Sequence, residues 1–145
     1  MGSQRQERSP NFVLATQPGP MIHLDAGFLI RALVRNSAED LKLRHWLKTT
    51  TPVGISCIAW AEFLCGPVET SVVNLAARII HDRVPFLDED AVMTARLFNL
   101  SGRRRGTLID CMIAAVALRT GASLATTNSE DFRRLQSAGL EIVAS

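Results

Sequence analysis

Gly106-Thr107-Leu108-Ile109-Asp110-Cys111-Met112-Ile113-Ala114-Ala115-Val116-Ala117-Leu118 reads as a helix that is apolar on every side yet carries one carboxylate, Asp110, in its first turn. A helix hydrophobic all round is a buried one, and an acid on it must be hydrogen-bonded, paired or metal-bound. Gly121 ends the helix, and Ser123-Leu124-Ala125-Thr126 follows as a strand. A buried helix running straight into a strand is the unit of an α/β fold. Thr107 and Asp110 also stand at the spacing of a capping box, so a purely structural role for Asp110 is open at this point.

Upstream, the same unit recurs. Met21-Ile22-His23-Leu24-Asp25 is an apolar run ending in an acid, which predicts a strand feeding a helix over 26–35. Ser37, with Asp40 three residues on, starts a second helix to about Lys48, with Leu43, Trp46 and Leu47 turned inward. Val53-Gly54-Ile55-Ser56-Cys57 is a second strand, and Ile58 to Leu64 a short helix stopped at Gly66-Pro67. A further helix over about 69–82 places Val72, Leu75, Ala76, Ile79 and Ile80 on one face. Val84-Pro85-Phe86-Leu87 is a third strand, whose proline suggests a sheet edge. Asp88, Glu89 and Asp90 crowd the start of a helix to about Leu100, where acids complement the helix dipole and are read as structural.

Downstream of the opening stretch, a helix over 128–135 precedes a fifth strand, Glu141-Ile142-Val143-Ala144. Strands alternating with helices across short loops predict a three-layer α/β/α fold around a mostly parallel five-stranded sheet. The chain of 145 residues is 47% hydrophobic, enough to fill one core, so residues 21–145 are expected to form a single domain. Residues 1–20 are polar and broken by Pro10, Pro18 and Pro20, the composition of a disordered arm. The formal net charge of +2 permits a polyanionic partner without demanding one. Three cysteines at irregular spacing make neither a disulfide framework nor a zinc pattern. All lie in apolar runs, where cysteine acts as a small hydrophobe, so a reducing, cytoplasmic setting is expected. No apolar run has transmembrane length or the look of a signal peptide.

Ligands of such a sheet bind beyond the carboxyl ends of its strands, and four acids map there. Asp25 ends the first strand, and Glu62 sits on the short helix after the second. Asp131 lies in the first turn of the helix after the fourth, and Asp110 joins them if its helix points its N-terminus the same way. An N-cap role is open to Asp25, and a cap pair to Asn128 and Asp131. Glu62 has no such role available. Its helical neighbours Ile58, Ala59 and Cys65 are apolar, so it is expected to be buried without a partner on its own helix. Carboxylates gathered at one edge repel each other unless a counter-charge joins them. An all-oxygen donor set favours Mg²⁺ or Mn²⁺ over zinc, and such an ion suits phosphoryl chemistry.

Four segments in this order then resemble a known family: Leu24-Asp25-Ala26-Gly27-Phe28-Leu29-Ile30, the run from Ile55 to Gly66, Leu108-Ile109-Asp110-Cys111-Met112-Ile113-Ala114-Ala115, and the run from Leu124 to Phe132. They resemble the motifs of PIN-domain ribonucleases, and above all VapC toxins of type II toxin–antitoxin pairs. The resemblance implies a Mg²⁺- or Mn²⁺-dependent endoribonuclease acting on single-stranded or looped RNA. It implies Asp25, Glu62, Asp110 and Asp131 as both catalytic and metal-holding residues, with Asn128 beside the variable fourth position. It also implies a homodimer and a cognate antitoxin. One departure stands out: the family usually follows its first Asp with Thr or Ser and then Asn, where this chain has Ala26 and Gly27. The lost groups would ordinarily orient the acid or a metal-bound water.

On this reading Asp25, Asp110 and Asp131 hold the ion, and Glu62 binds it or orients the attacking water. Arg103, Arg104 and Arg105, just before the buried helix, are placed either to grip an RNA backbone or to form a solvated loop. The chain has no tyrosine, and Trp46 and Trp60 look like core residues, so no base-stacking surface is visible. The alternative from another class is a catalytically weak PIN-like module that binds RNA or protein, motivated by Ala26-Gly27. A phosphatase of the haloacid dehalogenase type also puts Asp at the end of its first strand, but needs a second Asp where Gly27 stands.

Overall fold

The strand before Asp25 forms as expected and takes the centre of the sheet. In a computed structural model, which describes residues 21–144, β1 (Ile22–Leu24) pairs in parallel with β2 (Val53–Ser56) and β4 (Ser123–Thr126). β3 (Asp82–Val84) lies outside β2, and β5 (Ile142–Ala144) outside β4, giving the all-parallel order β3-β2-β1-β4-β5. The expected N-terminal arm falls outside the described residues. Every residue of β1 and β4 is buried, as parallel strands covered on both faces must be.

Helices α1 (Ala26–Ala32), α2 (Ala38–Lys48), α3 (Cys57–Cys65), α4 (Thr70–Ile79), α5 (Asp88–Leu100), α6 (Leu108–Thr120) and α7 (Ser129–Phe132) complete the three-layer α/β/α arrangement, with a 3-10 turn at Arg133–Ala138. None of the helices among the described residues is long and apolar enough to cross a membrane. The core gathers Leu24, Phe28, Leu29, Ile55, Phe63, Leu124 and Phe132 with the buried alanine face of α6. Full burial of each large side chain contributes roughly 1.5–3 kcal/mol. Trp46 and Trp60 are half-buried against that core, their rings 5.7 Å from Phe28 and 5.2 Å from Phe63. Gly121 closes α6 in the left-handed conformation, at φ 69°, which glycine adopts without a Cβ penalty.

Several local expectations change. The third strand is Asp82–Val84 rather than 84–87. Pro85 has no N–H for the ladder, and its carbonyl instead accepts from Arg119 Nη2 at 2.7 Å. The edge position is as expected. The first helix stops at Ala32, and Asn36 at φ 66° redirects the chain. Leu47 is 45% exposed instead of inward, and Cys65 is exposed although it lies in an apolar run, while Cys111 is buried.

Of the acids at the start of α5, Asp90 takes the structural role read for all three, while Asp88 and Glu89 are exposed. Asp90 is buried, accepts the Leu87 N–H at 2.8 Å and pairs with Arg119 Nε at 2.8 Å. His23, in the middle of the sheet, is 1% exposed, and neither ring nitrogen is hydrogen-bonded among the described residues. Burial lowers its pKa to about 4; the charge of Asp82 opposes that shift and the charge of Arg119 adds to it.

Candidate active site

The chain order of the sheet reverses beside β1, where β2 lies on one side and β4 on the other. In an open parallel sheet that reversal opens a crevice at the carboxyl ends of the strands. Asp25 stands at its mouth. Its N–H makes the last rung toward Ala125 O at 3.0 Å, and its side chain caps α1 by accepting the Phe28 N–H on Oδ1 at 2.7 Å. Oδ2 accepts the hydroxyl of Thr126, the last residue of β4. The capping role and the strand-end position, alternatives in the sequence, are thus both realised by the same carboxylate. Burial pushes the Asp25 pKa up, and the two hydrogen bonds pull it partly back.

Thr126 is the first residue that sequence reasoning missed. Its hydroxyl donates to Asp25 across the β1–β4 seam and accepts the Asn128 N–H at 2.9 Å, so one side chain ties the first acid to the start of α7. A hydroxyl in a fully buried strand must find partners, and that was its only signal in the sequence.

Asp110 lies in the first turn of α6, and the capping box open to it does not form: Thr107 makes no side-chain cap bond, and its hydroxyl donates instead to Arg104 O at 2.7 Å. The helix points Asp110 at the same edge as Asp25. Its pKa is pushed up to about 6, first by burial and then by the charges of Asp131, Glu62 and Asp25 in that order. The four acids proposed from the sequence therefore share one electrostatic neighbourhood.

Glu62 reaches that neighbourhood differently from expectation. Ser56 caps α3 by accepting the Ala59 N–H at 3.0 Å, and this sets the helix so that Ala59 and Phe63 face the core while Glu62 is exposed. The apolar neighbours in sequence do not enclose it, because the α3 face that carries Glu62 is open to solvent. Partial desolvation, then the charge of Asp25, raises its pKa. Asp131 is exposed on α7, and no cap pair forms with Asn128, whose side chain bonds nothing at the helix start.

The three arginines before α6 separate. Arg103 turns aside, at φ 56°, donating to Asn99 Oδ1 and lying 5.5 Å from the centre of the Phe98 ring. Arg104 and Arg105 line a pocket of ≈ 140 Å³ together with Asp110, Glu130 and Asp131. Arg134 joins that lining and also donates to Ser101 O at 3.2 Å. It was missed because it lies some thirty residues downstream of the basic loop.

A family model described as the PIN domain matches residues 22–137. The chain belongs to the PIN domain family. No curated protein matches it by sequence. Among solved structures, this PIN domain is similar to a chain of VapBC2 from Rickettsia felis bound to a DNA fragment from its promoter. Identity is 18%, the TM-score is 0.70, and the match covers 86% of this chain and 98% of that one. DNA-bound VapBC from Salmonella typhimurium matches at 19% identity and TM-score 0.65, over 86% and 98% of the two chains. VapBC-5 from Mycobacterium tuberculosis, described as a member of a toxin–antitoxin family, matches at 24% and 0.55, over 88% and 100%. These likenesses establish the fold.

Among the described residues no three His, Cys, Asp or Glu side chains stand grouped as a ready metal cage. The donor set nonetheless suits one kind of ion. Mg²⁺ keeps several waters and is held through one or two carboxylates rather than by an all-protein shell. Asp110, its pKa raised by burial and then by the charges of three further acids, fits with them a hard, hydrated divalent cation.

Proposed function

We infer that the protein is a Mg²⁺- or Mn²⁺-dependent endoribonuclease and the toxin of a toxin–antitoxin pair, acting in the cytoplasm. The observation that carries the reading is the convergence on Asp110 of Asp131, Glu62 and Asp25 from separate elements, whose charges, after burial, push its carboxyl up. Such repulsion is retained where charge must be collected. The catalytic and metal-holding set is Asp25, Glu62, Asp110 and Asp131, of which Asp25, Asp110 and Asp131 would hold the ion, in part through its waters. When bound, the ion supplies an activated water and offsets charge on the phosphate.

The chain's own groups do the rest. Thr126 and the Phe28 N–H hold the Asp25 carboxylate in one orientation. Glu62, exposed and with a raised pKa, is placed to orient the attacking water and take its proton. Arg104, Arg105 and Arg134 line the same small pocket as Asp110 and Asp131 and would meet the backbone phosphates of RNA. A cognate antitoxin and a homodimer are proposed with the VapC reading, which the likeness to VapBC complexes supports.

The test is cleavage of RNA in Mn²⁺ by the parent and by Asp110→Asn. Loss of cutting in the variant supports the assignment, and equal cutting by both ends it. The rival reading, a silent PIN module, is favoured by Ala26 and Gly27 in place of a hydroxyl and an amide. Calorimetric titration with Mn²⁺ separates the two: binding by the parent that Asp110→Asn abolishes indicates a working site, and no binding by the parent indicates the silent module.

A further inference from the structure

Gly27 is more than an omission. A methyl group built on it would stand 2.9 Å from the Thr127 hydroxyl oxygen and 3.7 Å from Asp25 Oδ1. The first distance is shorter than carbon and oxygen tolerate, so the space a side chain at position 27 would fill is already taken by Thr127. Thr127 is β-branched, and few rotamers let it swing away. Its hydroxyl makes no hydrogen bond among the described residues. The two oxygens of Asp25 are unlike. Oδ2 is held by Thr126, while among the described residues Oδ1 receives only the Phe28 N–H and, like the Thr127 hydroxyl, lies within 4 Å of where a Cβ on Gly27 would stand.

We propose that Thr127 is a positioning residue of the acidic site, its hydroxyl occupying the space over Gly27 and holding a water against Asp25 Oδ1 during phosphodiester hydrolysis. The departure at Ala26-Gly27 is then a relocation: the orienting group comes from the end of β4 instead of the start of α1. Gly27 and Thr127 form a matched pair, since any larger residue at 27 displaces the hydroxyl. The inference rests on the nuclease reading.

Three variants test it: Thr127→Val, which keeps the shape without the hydroxyl, Thr127→Ser, which keeps the hydroxyl, and Gly27→Ala, which crowds it. Each is measured for Mn²⁺ affinity by calorimetry, for kcat and KM on single-stranded RNA, and for melting temperature. Thr127→Val is expected to lose about 10-fold or more in Mn²⁺ affinity or kcat, the usual cost of losing an outer orienting group. Its KM and melting temperature stay close to the parent's, and Thr127→Ser recovers most of the loss. Gly27→Ala reproduces the Thr127→Val defect, and the double variant is no worse than Gly27→Ala alone. A Thr127→Val protein that binds Mn²⁺ and turns over like the parent overturns the inference and leaves the nuclease reading standing. A Thr127→Ser protein no better than Thr127→Val also overturns it. A parent that neither binds Mn²⁺ nor cuts RNA overturns the nuclease reading itself, and the inference with it.

Discussion

Removing the charge of Asp110 should stabilise the metal-free protein. Its carboxyl is held at about 6, whereas in the unfolded chain it titrates near 3.9. The folded protein therefore keeps that proton longer, and this group's contribution to stability falls as pH rises from about 4 through about 6, then levels off. Each unit between the two values is worth about 1.4 kcal/mol, so the ionised carboxylate costs roughly 3 kcal/mol before screening. Asp110 is only part-buried, and solvent reduces that to about 1–2 kcal/mol. For a domain of this size about 1 kcal/mol moves the melting temperature by roughly 4 °C. Asp110→Asn in EDTA at about pH 7.5 is thus expected to melt roughly 4–8 °C above the parent, and level with it near pH 4. Differential scanning calorimetry at both pH values reads this directly. Excess Mn²⁺ should raise the parent far more than the variant, because a ligand stabilises only the state that binds it. A variant that melts at or below the parent near pH 7.5 would refute the view that burial and the neighbouring acids strain the ionised Asp110.

The other expectations concern separate parts of the molecule. Arg134→Ala should raise KM for RNA and flatten the salt dependence of binding by about one counterion, with kcat little changed; Arg103→Ala, whose side chain rests on Phe98 and Asn99, should do neither, as binding titrations across salt would show. His23 titrates at about 4 in the fold and near 6.5 unfolded, so stability present above pH 6.5 is lost as pH falls toward 4, by up to roughly 3 kcal/mol. His23→Leu should flatten that part of the urea-unfolding profile; an unchanged profile would place the acid sensitivity elsewhere. Arg119→Met strands the buried Asp90 carboxylate and should cost about 3 kcal/mol in urea unfolding. Adding Asp90→Asn should recover part of that loss, and strict additivity would argue against coupling between the two.

The sheet was legible because its signals are local. An apolar run ending in Asp25, a buried helix stopped by Gly121 and a serine cap before Ala38 each report on a few neighbouring residues. Pro85 misled the reading of the third strand because Val84, Phe86 and Leu87 alternate like a strand that the missing N–H cannot complete. Asp25, Asp110 and Asp131 could be named because each lies at an element end, and Glu62 because it is the one acid on an otherwise apolar helix. Their surroundings could not. Glu62 was expected inside because its sequence neighbours are apolar, but which side of α3 meets the core depends on packing against distant elements. Thr126 and Asp25 are 101 residues apart in the chain, and Arg134, on the 3-10 turn after α7, lines the same pocket as Arg104 only through the tertiary fold. Contacts of that span leave no periodic trace.

The double duty of Asp25 has a practical consequence. Its carboxylate receives the Phe28 N–H and the Thr126 hydroxyl, so cutting it away unfastens a helix and a strand at the moment it removes a charge. An inactive protein made by Asp25→Ala would mix a damaged scaffold with a silenced centre, and neither loss could be told from the other. Asp110 has no such ties among the described residues. It is the position at which to make an inert trap that still holds whatever the intact protein grips.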